Sequence, residues 1–151
     1  MKPRYGYRTL RAGRVSLPEQ IYLLTAVTAY RRSLFRNTAL AREASRCIHD
    51  SSHWGDASVL CWVLMPDHWH GLVQLGERDD LAVVMNRFKG AVSRRLQCAQ
   101  TNHVWSPGYH DRALRHEDDL RAVARYIVAN PLRAGLVSHV LDYPYWDCIW
   151  L

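Results

Sequence analysis

Val59-Leu60-Cys61-Trp62-Val63-Leu64-Met65-Pro66-Asp67-His68-Trp69-His70 decides how the chain is read. The apolar run from about Ser58 to Met65 has the β-branched and aromatic content of a strand. Pro66-Asp67 interrupts it, and another strand runs on from His68 to Leu75. A turn this tight makes the two strands antiparallel neighbours. Strand side chains alternate, so Trp69, Gly71, Val73 and Leu75 share one face, and His68, His70, Leu72 and Gln74 share the other. The apolar set is expected to meet helices, and the histidines to face a groove. Two neutral imidazoles side by side can share one divalent metal ion. The same spacing also fits a half-exposed polar face without a ligand.

Upstream of this stretch, Ile21 to Thr28 reads as a strand, and Thr38 to His53 as a helix starting near Asn37. Downstream, Leu81, Val84, Met85, Phe88, Val92 and Leu96 recur at helical steps of three and four. Arg87, Lys89, Arg94 and Arg95 lie largely off that stripe, on a face that is either simply solvated or borders a nucleic-acid channel. Tyr109 to Arg115 reads as a short fourth strand after Ser106-Pro107-Gly108, with His110 and Arg112 on one face; His110 is either a half-buried strand histidine or a DNA contact. A last helix is expected from about His116, with Leu120, Val123, Ala124 and Ile127 buried. It should end at Asn130, because Pro131 cannot donate to the helix ladder and disfavours helical geometry before it. Gly135 closes the next turn, and the aromatic tail Asp142-Tyr143-Pro144-Tyr145-Trp146-Asp147 is expected to return to the domain. The order β-α-β-β-α-β plus a helix is an α+β, ferredoxin-like antiparallel sheet with two helices on one face and the other face available.

The length of 151 residues suits one domain, 1–151, with 1–18 as a basic arm and 138–151 as an aromatic tail. Lys and Arg number 20 against 14 Asp and Glu, a net charge of +6, the balance of a protein that meets phosphates. Arg4, Arg8, Arg11 and Arg14 alternate with Tyr5 and Tyr7 in the arm, a pattern that can stack on unpaired bases while neutralising phosphate; an ordinary charged tail reads the same way. No stretch has the apolar length of a membrane span or signal peptide, so the expected location is cytoplasmic, associated with the nucleoid. Cys47, Cys61, Cys98 and Cys148 are scattered and read as reduced packing residues.

A second feature lies far along the chain, at Tyr126-Ile127-Val128-Ala129-Asn130. On one helix Tyr126 and Asn130 would be neighbours one turn apart. Phosphodiester cleavage needs an in-line nucleophile and a positive centre beside the phosphate, and a phenol and a metal can supply them. Together with the histidine stretch, this segment resembles the catalytic core of the HUH-type single-strand DNA transposases, in particular the REP-associated tyrosine transposases. Ile21 to Thr28, Val63 to His70, Arg87-Phe88-Lys89, Gly108 to Asp111 and Arg125 to Val137 all look like blocks of that family. The resemblance implies that His68 and His70 bind a divalent ion, Mg²⁺ or Mn²⁺, that Tyr126 is the nucleophile, and that Asn130 completes the metal shell where related insertion-sequence transposases commonly carry Gln. It further implies a single-stranded DNA endonuclease and strand transferase on REP-type hairpins with a short 5′ guide read by the arm, working as a monomer or a homodimer through a 5′-phosphotyrosine. Two other readings stand beside it. One is a non-catalytic hairpin-binding protein on the same sheet. The other is a zinc hydrolase, which lacks a third ligand with an adjacent carboxylate base.

Overall fold

The computed structural model describes residues 17–97, 103–115 and 118–151. Its strands are β1 (Ile21–Val27), β2 (Ser58–Met65), β3 (His68–Gln74), β4 (His110–Ala113) and β5 (Trp146–Cys148). The helices are α1 (Thr38–His49), α2 (Leu81–Gln97), α3 (Leu120–Val128) and the single turn α4 (Asn130–Arg133). One sheet of order β4-β1-β3-β2-β5 holds them, with every neighbouring pair antiparallel. The first four strands thus take the ferredoxin-like order, β3 inserted between β1 and β2.

Alternation along the strands builds two cores, one on each face of the sheet. On one face Tyr22, Leu24, Ala26, Trp62, Leu64, Trp69 and Val73 meet α1 and α2. There Trp54, Phe88 and Trp69 form an aromatic centre, with Phe88 4.7 Å from each indole. On the other face Cys61, Val63, Met65 and Leu72 meet Ala124, Ile127 and Val128 of α3. This second face is covered unevenly. α3 lies over β2 and β5, while Leu23, Thr25 and Val27 of β1 are only half-buried, and His110 and Arg112 of β4 are exposed.

The boundaries differ from those read in the sequence, for local reasons. α1 stops at His49 because Asp50 is extended and its carboxylate accepts from the Ser52 amide at 3.0 Å, starting a separate short turn. α3 starts at Leu120, where the Asp119 carboxylate caps the amides of Arg121 and Ala122. The helix also ends early, at Val128, so Asn130 is not on the same regular helix as Tyr126. Pro131 cannot donate back to Ile127, so the chain re-enters helical geometry as the separate turn α4 and leaves it through Gly135 at φ 72°. The tail does return, as β5 on β2, and the Tyr143 hydroxyl donates to the Leu64 carbonyl. Cys47, Cys61 and Cys148 are buried free thiols, and Cys98 lies outside the described residues.

The close approach of Trp69 to Gly71 explains why a glycine interrupts the otherwise apolar face of β3. The fully buried Trp69 lays its indole along the sheet over residue 71, and a Cβ there would meet Trp69 Cζ2 at 2.3 Å. Gly71→Ala is therefore expected to lower unfolding free energy by about 1–3 kcal/mol through overpacking, read as a lower urea midpoint. An unchanged midpoint would show that the Trp69 pocket yields.

Candidate active site

The register of β1, β3 and β4 assembles a polar row in the middle of the second face. Residues directly opposite in antiparallel strands point the same way. Trp146, Val63, His70, Thr25 and His110 consequently stand in one row across the sheet, with Met65, His68 and Val27 on one side of it. The His68 and His70 ring centroids are 4.7 Å apart and nearly perpendicular. Thr25 Oγ1 is 2.8 Å from His70 Nδ1, and Asp67 Oδ1 is 2.7 Å from His68 Nδ1. The Asp67 turn is itself anchored, since the amide of buried Thr28 donates to its carbonyl at 2.9 Å and Arg31 reaches its carboxylate at 3.6 Å. Neither Thr25 nor Asp67 was singled out in the sequence. Asp67 was legible as the neighbour of His68, but Thr25 acquires meaning only through strand pairing.

Tyr126 lies on α3 among residues that pack onto β2, yet its own side chain remains 59% exposed. The Arg133 guanidinium carbon sits 3.7 Å over its ring centroid, and Arg133 Nη2 donates to the Tyr126 carbonyl at 2.9 Å. The same guanidinium is close enough to His70 to oppose its protonation. Arg133 therefore contacts Tyr126 directly and adds positive charge to the surroundings of His70. Asn130 opens α4, which leans on β2, the strand beside the histidines.

The basic residues separate into two groups. His110 and Arg112 share the histidine face at its open edge; His110 is exposed there, not half-buried. Arg87, Lys89 and Arg94 belong to α2, on the opposite face of the sheet. Two of them brace the fold. Arg87 pairs with Asp79 at 2.9 Å, and Lys89 Nζ donates to the carbonyls of Ser106 and Gly108 at 2.9 and 2.6 Å, holding the loop that leads into β4. Arg4, Tyr5, Tyr7, Arg8, Arg11 and Arg14 lie outside the described residues.

The donor set fits a divalent ion bound through two imidazoles and an amide. Both Nδ1 atoms lie within hydrogen-bond distance of an oxygen, as those of histidine ligands commonly do, and with the protons on Nδ1 the Nε2 atoms would carry the free lone pairs. Asn130 contributes a buried amide nitrogen with no hydrogen-bond partner among the described residues. The amide can be turned to present its oxygen instead. No group of three or more His, Cys, Asp or Glu side chains is placed to hold a metal ion among the described residues, so the remaining positions would fall to water and phosphate oxygens.

Burial, then the nearby His68 ring and Arg133, lower the His70 pKa to about 4 from 6.5. The ring is therefore neutral in the folded protein where the unfolded chain would already be protonated. The stability this contributes is fully present above about pH 6.5 and is lost as pH falls toward 4, a difference on the order of 3 kcal/mol. In EDTA, the urea midpoint of the wild type is expected to fall more steeply between pH 6.5 and 4 than that of His70→Gln. Parallel profiles would show that His70 is not the group responsible.

The chain is similar along most of its length to known proteins. The family model described as "Transposase IS200 like" matches residues 16–130. A REP-associated tyrosine transposase of Escherichia coli (strain K12) is 30% identical over 87 residues, which are 58% of this chain and 52% of that protein, so the match spans about half of the relative. A provisionally named REP-associated tyrosine transposase of Haemophilus influenzae is 28% identical over 137 residues, 83% of this chain and 77% of its own. Among solved structures, a REP-associated tyrosine transposase bound to a REP hairpin superposes with a TM-score of 0.71 at 25% identity, covering 88% of this chain and 79% of that one. A provisionally assigned transposase from Deinococcus radiodurans shares the fold, with a TM-score of 0.50 at 21% identity over 86% of this chain and 97% of its own. With the family model spanning β1 to β4, both histidines, Tyr126 and Asn130, this chain belongs to the IS200-like transposase family, and it is similar to REP-associated tyrosine transposases.

Proposed function

We propose that this chain is a metal-dependent single-stranded DNA endonuclease and strand transferase acting on REP-type palindromic hairpins, with Tyr126 as nucleophile. The observation that carries the reading is the solvent-exposed Tyr126 on α3, a helix packed on the same sheet face that bears the His68 and His70 pair. The hairpin held by the relative of known structure supports the choice of substrate.

In the cleavage step the Tyr126 oxygen bonds to phosphorus and the bond from phosphorus to the 3′-oxygen breaks. The phenolic proton is released and the departing oxygen takes up a proton, leaving a 5′-phosphotyrosine and a free 3′-OH. The ester keeps the bond energy, so attack by a 3′-OH rejoins DNA without a nucleotide cofactor. A divalent ion, Mg²⁺ or Mn²⁺, held by His68, His70 and Asn130 would supply positive charge beside the phosphate oxygens. Thr25 and Asp67 fix the two rings, and a ring whose pKa is near 4 stays unprotonated and able to act as a ligand at neutral pH. His110 and Arg112 line the open edge of the face, where a strand crossing toward the histidines would meet them. The basic arm remains the proposed reader of the short 5′ guide.

With a labelled hairpin carrying single-stranded flanks and Mn²⁺, the wild type is expected to form a covalent DNA adduct that Tyr126→Phe does not form. Equal cleavage by both proteins would remove Tyr126 from the mechanism. His68→Ala and His70→Ala are each expected to lower cleavage by at least about a hundredfold while leaving most hairpin affinity, because binding rests on phosphate and base contacts. Cleavage that survives EDTA, or both alanine variants, would refute the metal site. Hairpin binding without any cleavage would favour the non-catalytic reading.

A further inference from the structure

Arg133 makes contacts around Tyr126 that neither metal binding nor the bond exchange uses. It sits on α4, the turn created when Pro131 breaks the helix, so its side chain folds back along α3. The guanidinium carbon is 3.7 Å above the Tyr126 ring centroid, and Nη2 is bonded at 2.9 Å to the carbonyl of that same residue. A tyrosine with 59% of its surface exposed has little packing to select its rotamer. A flat cation stacked on one face of the ring and tied to the ring's own backbone can select it.

We infer that Arg133 is a positioning residue for the nucleophile, clamping the Tyr126 phenol in one orientation by stacking on its ring while bonded to its carbonyl. The inference rests on Tyr126 being the nucleophile. Attack requires the phenolic oxygen in line with the bond that breaks, and a small angular error in a bound nucleophile costs a large rate factor. The planar fork is what matters in this role. Lysine would keep a positive charge near His70 but has no flat face to lie on the ring.

The test reads orientation and rate separately. With 3-fluorotyrosine at position 126, the fluorine NMR signal of the DNA-free and metal-free protein should change in position and width in Arg133→Lys. Single-turnover cleavage of a saturating hairpin with Mn²⁺ should fall by roughly tenfold to a hundredfold in Arg133→Lys and Arg133→Ala alike. Hairpin affinity and thermal midpoint should stay unchanged in both. An unaltered fluorine signal overturns the clamp. So does recovery of the rate by lysine, which would mean that charge alone suffices, and so does a loss confined to affinity, which would mean a phosphate contact. If Tyr126→Phe still cleaves, the fault lies in the assigned nucleophile, recognisable because the fluorine signal would still respond to Arg133→Lys.

Discussion

The pairing of β1 with β3 is the constraint on which the rest depends. It sets Thr25 opposite His70 and Val27 opposite His68, with the other edge of β1 available to β4. A slip of one residue would exchange the two faces, sending both imidazoles into the aromatic core and Trp69 into the groove. Burial holds the register. Trp69, Val73, Leu24 and Ala26 are all sealed on one side, and removing such groups from water is worth about 1.5–3 kcal/mol for each large side chain.

Fixing that face fixes its electrostatics. His70 lies where desolvation disfavours a charged ring, with His68 and Arg133 adding to the effect, so this part of the sheet keeps the His70 imidazole neutral in a protein whose overall charge is strongly positive. The oxygens at Nδ1 orient the rings from behind. One of them belongs to a neighbouring strand and the other to the β2–β3 turn, so the ring geometry is a property of the sheet and not of the three residues His68-Trp69-His70.

The second half of the site comes from a helix that breaks. Asp119 starts α3, Ile127 and Val128 hold it on β2 and β5, and Pro131 stops it. An uninterrupted helix would carry residue 133 about 700° of rotation beyond residue 126 and roughly 10 Å along the axis, too far for the observed stack on its ring. The break therefore does more than end an element. It returns Arg133 to Tyr126 and puts the Asn130 amide in a buried position. The same helix covers the β2 and β5 side of its face and reaches β3, leaving the β4 edge to His110 and Arg112.

By itself the sequence determined the strands and their faces, because a period-two pattern around Trp69 and a period-three-to-four pattern around Phe88 report burial directly. It determined the β2–β3 turn and the separation of histidines from the apolar set, and the blocks around His68 and Tyr126 carried the family resemblance. It also located the helix stop near Pro131, although not the resumption of a turn beyond it. Only the tertiary structure decided which partners those residues have. β5 is three residues long, too short to show a pattern, and exists because β2 offers it an edge. Thr25 becomes part of the site through a strand pairing that spans 45 residues of sequence, and Arg133 through a helix break. Arg87 and Lys89 are basic residues like Arg112, yet they brace loops on the far face. Local periodicity encodes which side of an element is buried, whereas the groups that meet across the resulting groove depend on register and on where each helix ends.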